Sequence, residues 1–218
     1  MPGPKPEAAD QRDLVAVARQ LGRPPRGVTA VAHRCRCGLP DVVETAPRLP
    51  DGTPFPTLYY LTCPKAAAAV SRQEAAGTMR AMTLRLAADP GLRQDYRAAH
   101  EDYLARRDAA ARQAALEPLP GTPISAGGMP DRVKCLHALV AHELAVPGSN
   151  PLGREALRAA GPWWAAGPCV PPDDLTNDGE TSASTPRAKP SSNASPAGGP
   201  ARPAGPEAGD EPAGTMGR

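Results

Sequence analysis

The chain has 218 residues and a formal net charge of +2, so no strong basic field argues for a nucleic-acid partner. It carries 29 Pro and 21 Gly against only 3% aromatics, a balance that predicts flexible flanks around a smaller core. No apolar run has the length of a membrane span, and Met1 to Pro25 lacks the apolar segment of a signal peptide. Membrane insertion is therefore not expected. The expected location is cytoplasmic, where the five cysteines stay reduced and are free for metal binding or thiol chemistry.

In chain order, Glu7 to Leu21 reads as a short helix with Leu14, Val17, Ala18 and Leu21 on one stripe, broken by "GRPPRG". "VTAVAH" (Val28 to His33), "DVVETA" (Asp41 to Ala46) and "TLYYLTC" (Thr57 to Cys63) are β-compatible. They predict two or three antiparallel strands, with a loop turning at Asp51-Gly52 before the last. Pro64 suits the first position of the next helix, which ends before Gly77. "TMRAMTLRLAAD" and the long charged stretch after Asp89-Pro90 are helical too. In that long helix Leu92, Tyr96, Ala99 and Tyr103 share a face, and His100 is expected at the surface. A further helix is predicted to open at Pro130-Asp131 and run to Ala145, with a short one near Glu155 to Ala160.

The expected fold is α+β, a short antiparallel sheet covered by four to five helices. Residues 1–26 form an N-terminal helix and linker, 27–162 a single domain, and 163–218 a disordered Pro/Gly/Ser-rich tail. Cys169 falls in that tail and is assigned no role.

Four cysteines attract a ligand reading. Cys35 and Cys37 lie two apart, which puts both side chains on one side of an extended segment, and Gly38 then permits a sharp turn. Cys63 precedes a helix-starting proline, and Cys135 falls in the first turn expected after Pro130. Helix N-termini favour the thiolate at both places. Together they are candidates for a four-thiolate zinc or iron–sulfur site. His33, His137 and His142 are candidates for an additional ligand or proton carrier. On a helical wheel no pair among Cys135, His137 and His142 has i, i+4 spacing, so that helix should give at most one ligand to any single metal. Gly127 and Gly128, with Arg132 and Lys134 beyond them, form a candidate anion site at the same helix start, although Asp131 opposes it.

The segments "HRCRCGLPDVVETAPRLPDGTPFPTLYYLTCP" and "ISAGGMPDRVKCLHALVAH" resemble an uncharacterised bacterial family, domain of unknown function number 501, over Gly27 to Leu157. The resemblance matches family motif cysteines to Cys35, Cys37, Cys63 and Cys135, and family histidines to His137 and His142. It implies no reaction. Members of the family typically have as gene neighbours a septum-formation-initiator-like membrane protein and an exopolyphosphatase, which implies a possible cell-division protein partner. Three readings stand at this level. The first is a metal or cluster protein in a regulatory or interaction role. The second is a thiol enzyme acting on an anionic small molecule, with Cys135 or Cys63 as nucleophile. The third is an interaction module of the division or envelope machinery.

Overall fold

The computed structural model describes residues 6–119 and 125–176. Its sheet is antiparallel throughout, in the order β1-β2-β3-β4, with β1 at Glu7–Ala8, β2 at Val28–Arg34, β3 at Pro40–Thr45 and β4 at Tyr59–Leu61. The β2, β3 and β4 strands lie where alternation and β-branched content place them. The fourth strand corrects the expected two or three. Glu7 and Ala8 pair with Val31 and Ala30 instead of starting a helix. The reason is local: Asp10 and Asp13 form a reciprocal capping box, so the helix cannot begin before Gln11.

That helix, α1 (Gln11–Leu21), packs on β3, and Asp13 ties it to the sheet through Arg34 at 2.7 Å. The described part of the N-terminal helix and linker, residues 6–26, belongs to the same compact unit as the sheet. The next three helices are α2 (Pro64–Ala75), α3 (Thr78–Ala88) and α4 (Pro90–Gln113). Each start has a chain signal: Pro64 at the head of α2, Gly77 before α3, and Asp89 accepting from the Leu92 N–H before Pro90 opens α4. Then come α5 (Leu136–Ala145), α6 (Pro151–Ala160), a single 3-10 turn at Trp163–Ala166 and the short α7 (Asp173–Thr176). The described residues thus hold seven α-helices, more than the four to five expected.

The core forms where α5 lies on β4 and β2 and is backed by α2 and α6. Leu136, Leu139 and Val140 of α5 share one buried cluster with Val42 of β3, Leu61 of β4 and Leu58 just before it. Burial of that many aliphatic side chains, at roughly 1.5–3 kcal/mol each, is the main force holding helices to sheet. The α5–α6 approach is close because Gly153 of α6 lies against the Leu139 carbonyl. On α4, Tyr96, Ala99 and Tyr103 are buried as their shared face predicts. His100 is not at the surface: it is 8% exposed, and its Nδ1 lies 2.9 Å from the buried Ser125 hydroxyl. The wheel puts His100 beside the apolar stripe, and the Ser125 loop closes over it.

Part of the expected tail is also folded. Trp163 and Trp164 stack edge to face at 4.8 Å and pack against the core, and Cys169 and Val170 are buried. The rest of the tail expectation, beyond residue 176, lies outside the described residues. No helix among the described residues is long and apolar enough to cross a membrane.

Candidate metal centre

The CxC stretch is a tight hairpin between β2 and β3. Cys35 N–H donates to the Leu39 carbonyl at 2.9 Å and Gly38 N–H to the Cys35 carbonyl at 2.9 Å. Gly38 takes φ +86°, a left-handed turn position that favours glycine. The turn holds both sulfurs on one side. Cys63 is the N-cap residue of α2. The third contributor is the segment after the 3-10 turn. Lys65, in the first turn of α2, donates to the Ala166 and Gly167 carbonyls at 2.6 and 2.9 Å. Arg36 sits 4.9 Å from the centre of a Trp164 ring, a cation–π contact between the CxC turn and this segment. These contacts hold Cys169 over the start of α2.

The sulfurs converge. Cys169 Sγ is 2.9 Å from Cys63 Sγ and 3.4 Å from Cys37 Sγ. The sulfurs of Cys35, Cys37 and Cys169 all lie within 4.8 Å of one another. Around one zinc, with Zn–S bonds of ~2.3 Å, tetrahedral geometry separates sulfurs by about 3.8 Å. The Cys35, Cys37 and Cys169 sulfurs lie close enough to hold one metal ion, with Cys63 touching the group through Cys169.

Backbone amides face the same sulfurs. The Cys169 thiol beside Cys63 lowers the Cys63 pKa to about 7 against the opposing effect of burial, and the N–H groups of Ala66 and Lys65 at the helix start add to the lowering. Burial alone would raise Cys37, but N–H groups of Cys169 and Leu39 bring it below the ordinary thiol value. Cys35 is raised, chiefly by burial, although the Cys37 N–H opposes this. Cys169 is raised because it gives its hydrogen to the Cys63 sulfur and is buried. Amide donors of this kind orient and tune metal-bound thiolates.

Cys135 is not in this group, which corrects the expected fourth ligand. Among the described residues it converges instead with Glu74 and His137, their ligand atoms all within 4.8 Å. The reason is the length of α2. Cys63 caps its first turn and Glu74 lies in its last, about 16 Å away at ~1.5 Å rise per residue. A residue beside Glu74 cannot also reach the CxC turn.

The wheel argument also fails here. The helix starts at Leu136, not near Asp131, and Cys135 is extended at φ −154° and ψ 111°. Cys135 and His137 therefore meet on one site that a continuous helix would have denied them. The candidate anion site has no helix start behind it, for the same reason. The Lys134 and Cys135 N–H groups donate to the Gly127 carbonyl, the Arg132 N–H to that of Gly128, and the Leu136 N–H to Glu74. No helix begins at Gly128, and Asp131 caps none.

Neither remaining histidine joins the sulfurs. His33 Nδ1 lies 2.6 Å from Asp41, which is fully buried. His142 is fully buried between Tyr59 and Tyr103, with Nε2 3.1 Å from Asp102. It is a core residue. Two residues escaped sequence reasoning: Cys169, whose "WWAAGPCV" context carried a packing signal in its tryptophans, and Glu74, which has no distinguishing sequence signal.

The family described as Protein of unknown function (DUF501) matches residues 31–158. Cys35, Cys37, Cys63, Glu74, Cys135 and His137 lie inside that span and Cys169 outside it. No curated protein and no solved structure matches the chain.

Proposed function

We propose that this chain, which belongs to the DUF501 family, binds one zinc ion through Cys35, Cys37, Cys63 and Cys169 and uses it to fasten the segment after Trp163 to the domain. The observation that carries this is the approach of Cys169 to Cys63 and Cys37, from a part of the chain more than a hundred residues away from either. Four sulfur donors close a tetrahedral site and leave no open position, the arrangement of a structural zinc. An iron–sulfur core would spread its thiolates more widely than a single ion does, so the close spacing favours zinc. Such a site contributes to folding directly, because the unfolded chain has no preformed donor set. The role that follows is non-enzymatic: the ion holds a shaped surface of two tryptophans and the CxC turn for regulation or interaction.

The test is metal content. Protein purified without oxygen should carry one zinc per chain at this site, and no sulfide. Cys169→Ser and Cys63→Ser should each lose it. Folded protein that holds no metal at these four cysteines, or that holds iron with sulfide, would sink the reading.

A further inference from the structure

Beyond the four-sulfur site, and independently of it, we infer that Glu74, Cys135 and His137 form a second divalent-metal site, open on one side to a cleft. Glu74 stands at the end of α2, Cys135 in the extended residue before α5, and His137 in the first turn of α5.

His137 carries the argument. Its Nε2 lies 3.2 Å from the Ala67 carbonyl oxygen and 3.2 Å from the Ser71 hydroxyl. A carbonyl can only accept, so Nε2 bears a hydrogen and donates it. In the neutral ring this leaves the lone pair on Nδ1. Nδ1 faces a Glu74 carboxylate oxygen at 3.1 Å and the Cys135 sulfur at 3.9 Å. Three potential ligand atoms thus face one another, all within 4.8 Å, close enough to hold one metal ion.

Without an ion, a proton on Nδ1 donated to Glu74 fills this gap, and a divalent ion would take its place. A divalent ion bound by a thiolate, a carboxylate and a neutral imidazole balances the charge. The spacing suits it: zinc bonds of ~2.0–2.3 Å imply ligand separations of about 3.4 Å for N and O and about 3.6 Å for N and S. The Ala67 carbonyl accepting from the far ring nitrogen is the support that metal-bound histidines usually have. The Leu136 N–H, donating to the same Glu74 oxygen at 2.6 Å, fixes the carboxylate.

Three protein ligands leave a fourth position for water, the pattern of zinc sites that activate water or polarise a substrate. Cys135 and His137 line a cleft of about 590 Å³, together with Thr57, Tyr60 and Gln20, so a small molecule can approach. The class of ion is a borderline-soft divalent transition metal such as zinc.

The experiment uses the full chain, purified without oxygen, stripped by a chelator under reducing conditions and titrated with cobalt(II). Thiolate-to-cobalt charge-transfer absorbance reports the number of sulfurs bound. The inference expects a cobalt with a one-thiolate signature, lost in His137→Gln, Glu74→Gln and Cys135→Ser and retained in Cys169→Ser. The four-sulfur site would add a second, thiolate-rich cobalt with the opposite pattern, so failure of either site is read separately. Circular dichroism checks that each variant folds. Should the variants unfold, cadmium NMR of the unaltered protein decides, since a one-sulfur site resonates far from a four-sulfur one. Absence of a one-sulfur resonance, or cobalt uptake unchanged by His137→Gln and Cys135→Ser, overturns the inference. It would mean that a proton alone fills the gap between the three side chains.

Discussion

The sulfur of Cys63 lies 2.9 Å from the sulfur of Cys169, across 106 positions of sequence. One belongs to the start of a helix in the middle of the domain and the other to a segment outside the family's matched span. The contact joins the two, and its energetic consequence can be measured.

If the proposed zinc site forms, replacing Cys169 by serine removes one of its four sulfur donors and leaves three thiols without their ion. Loss of a structural metal belongs to the rare class of changes costing more than about 4 kcal/mol. Cys169→Ser is expected to lower the midpoint of thermal unfolding sharply and to make the chain after Trp163 susceptible to limited proteolysis. Chelation of the unaltered protein should reproduce both effects.

Tyr103 is fully buried and its hydroxyl accepts the Leu58 N–H at 2.6 Å. Tyr103→Phe keeps the ring and its edge contact with Tyr59 but strands a buried backbone donor. The cost is that of an unsatisfied group, about 1–3 kcal/mol. Urea unfolding should show a lower midpoint at unchanged slope.

Gly153→Ala tests the α5–α6 approach. An added Cβ would lie 2.2 Å from the Leu139 carbonyl oxygen, so backbone must move. Overpacking of this kind costs about 1–3 kcal/mol, with more where backbone is the obstacle. Gly91→Ala in α4 is the control. Its Cβ meets only the Asp89 side chain at 3.4 Å, and stability should change little.

Asp102 gives an acid limb. The buried His142 ring beside it, and then Arg106, hold its pKa down at about 2, against the raising effect of burial. A depressed carboxylate stabilises the fold above its unfolded pKa of about 4 and loses that contribution as pH falls through 2. Asp13, held low chiefly by Arg34, acts in the same direction. Thermal melts of the unaltered protein should fall steeply between about pH 4 and pH 2. Asp102→Asn should flatten that limb, and a slope identical to the unaltered protein would rule out the assignment.

Much of the scaffold was legible from local chemistry. "TLYYLTC" between prolines marks β4, Pro64 marks the head of α2, and Asp89-Pro90 marks the head of α4, because caps and fixed φ act within a few residues. The start of α5 was not legible. Its apolar period continues backward through Val133, but the N–H groups of Lys134 and Cys135 donate to the Gly127 carbonyl, which holds the chain extended. The two-residue β1 has no periodicity to detect, and it exists because β2 offers an edge.

By itself the sequence determined the local placement of three thiols: a glycine turn that aims two cysteines together, and a third cysteine at a proline-capped helix start. Only the tertiary structure decided which fourth sulfur meets them. Chain separation sets no limit on contact once Lys65, Arg36 and the two tryptophans dock the later segment. The length of α2, by contrast, keeps Cys135 away from that centre and places it beside Glu74 and His137. Convergence of side chains depends on how rigid elements pack, which no local pattern encodes.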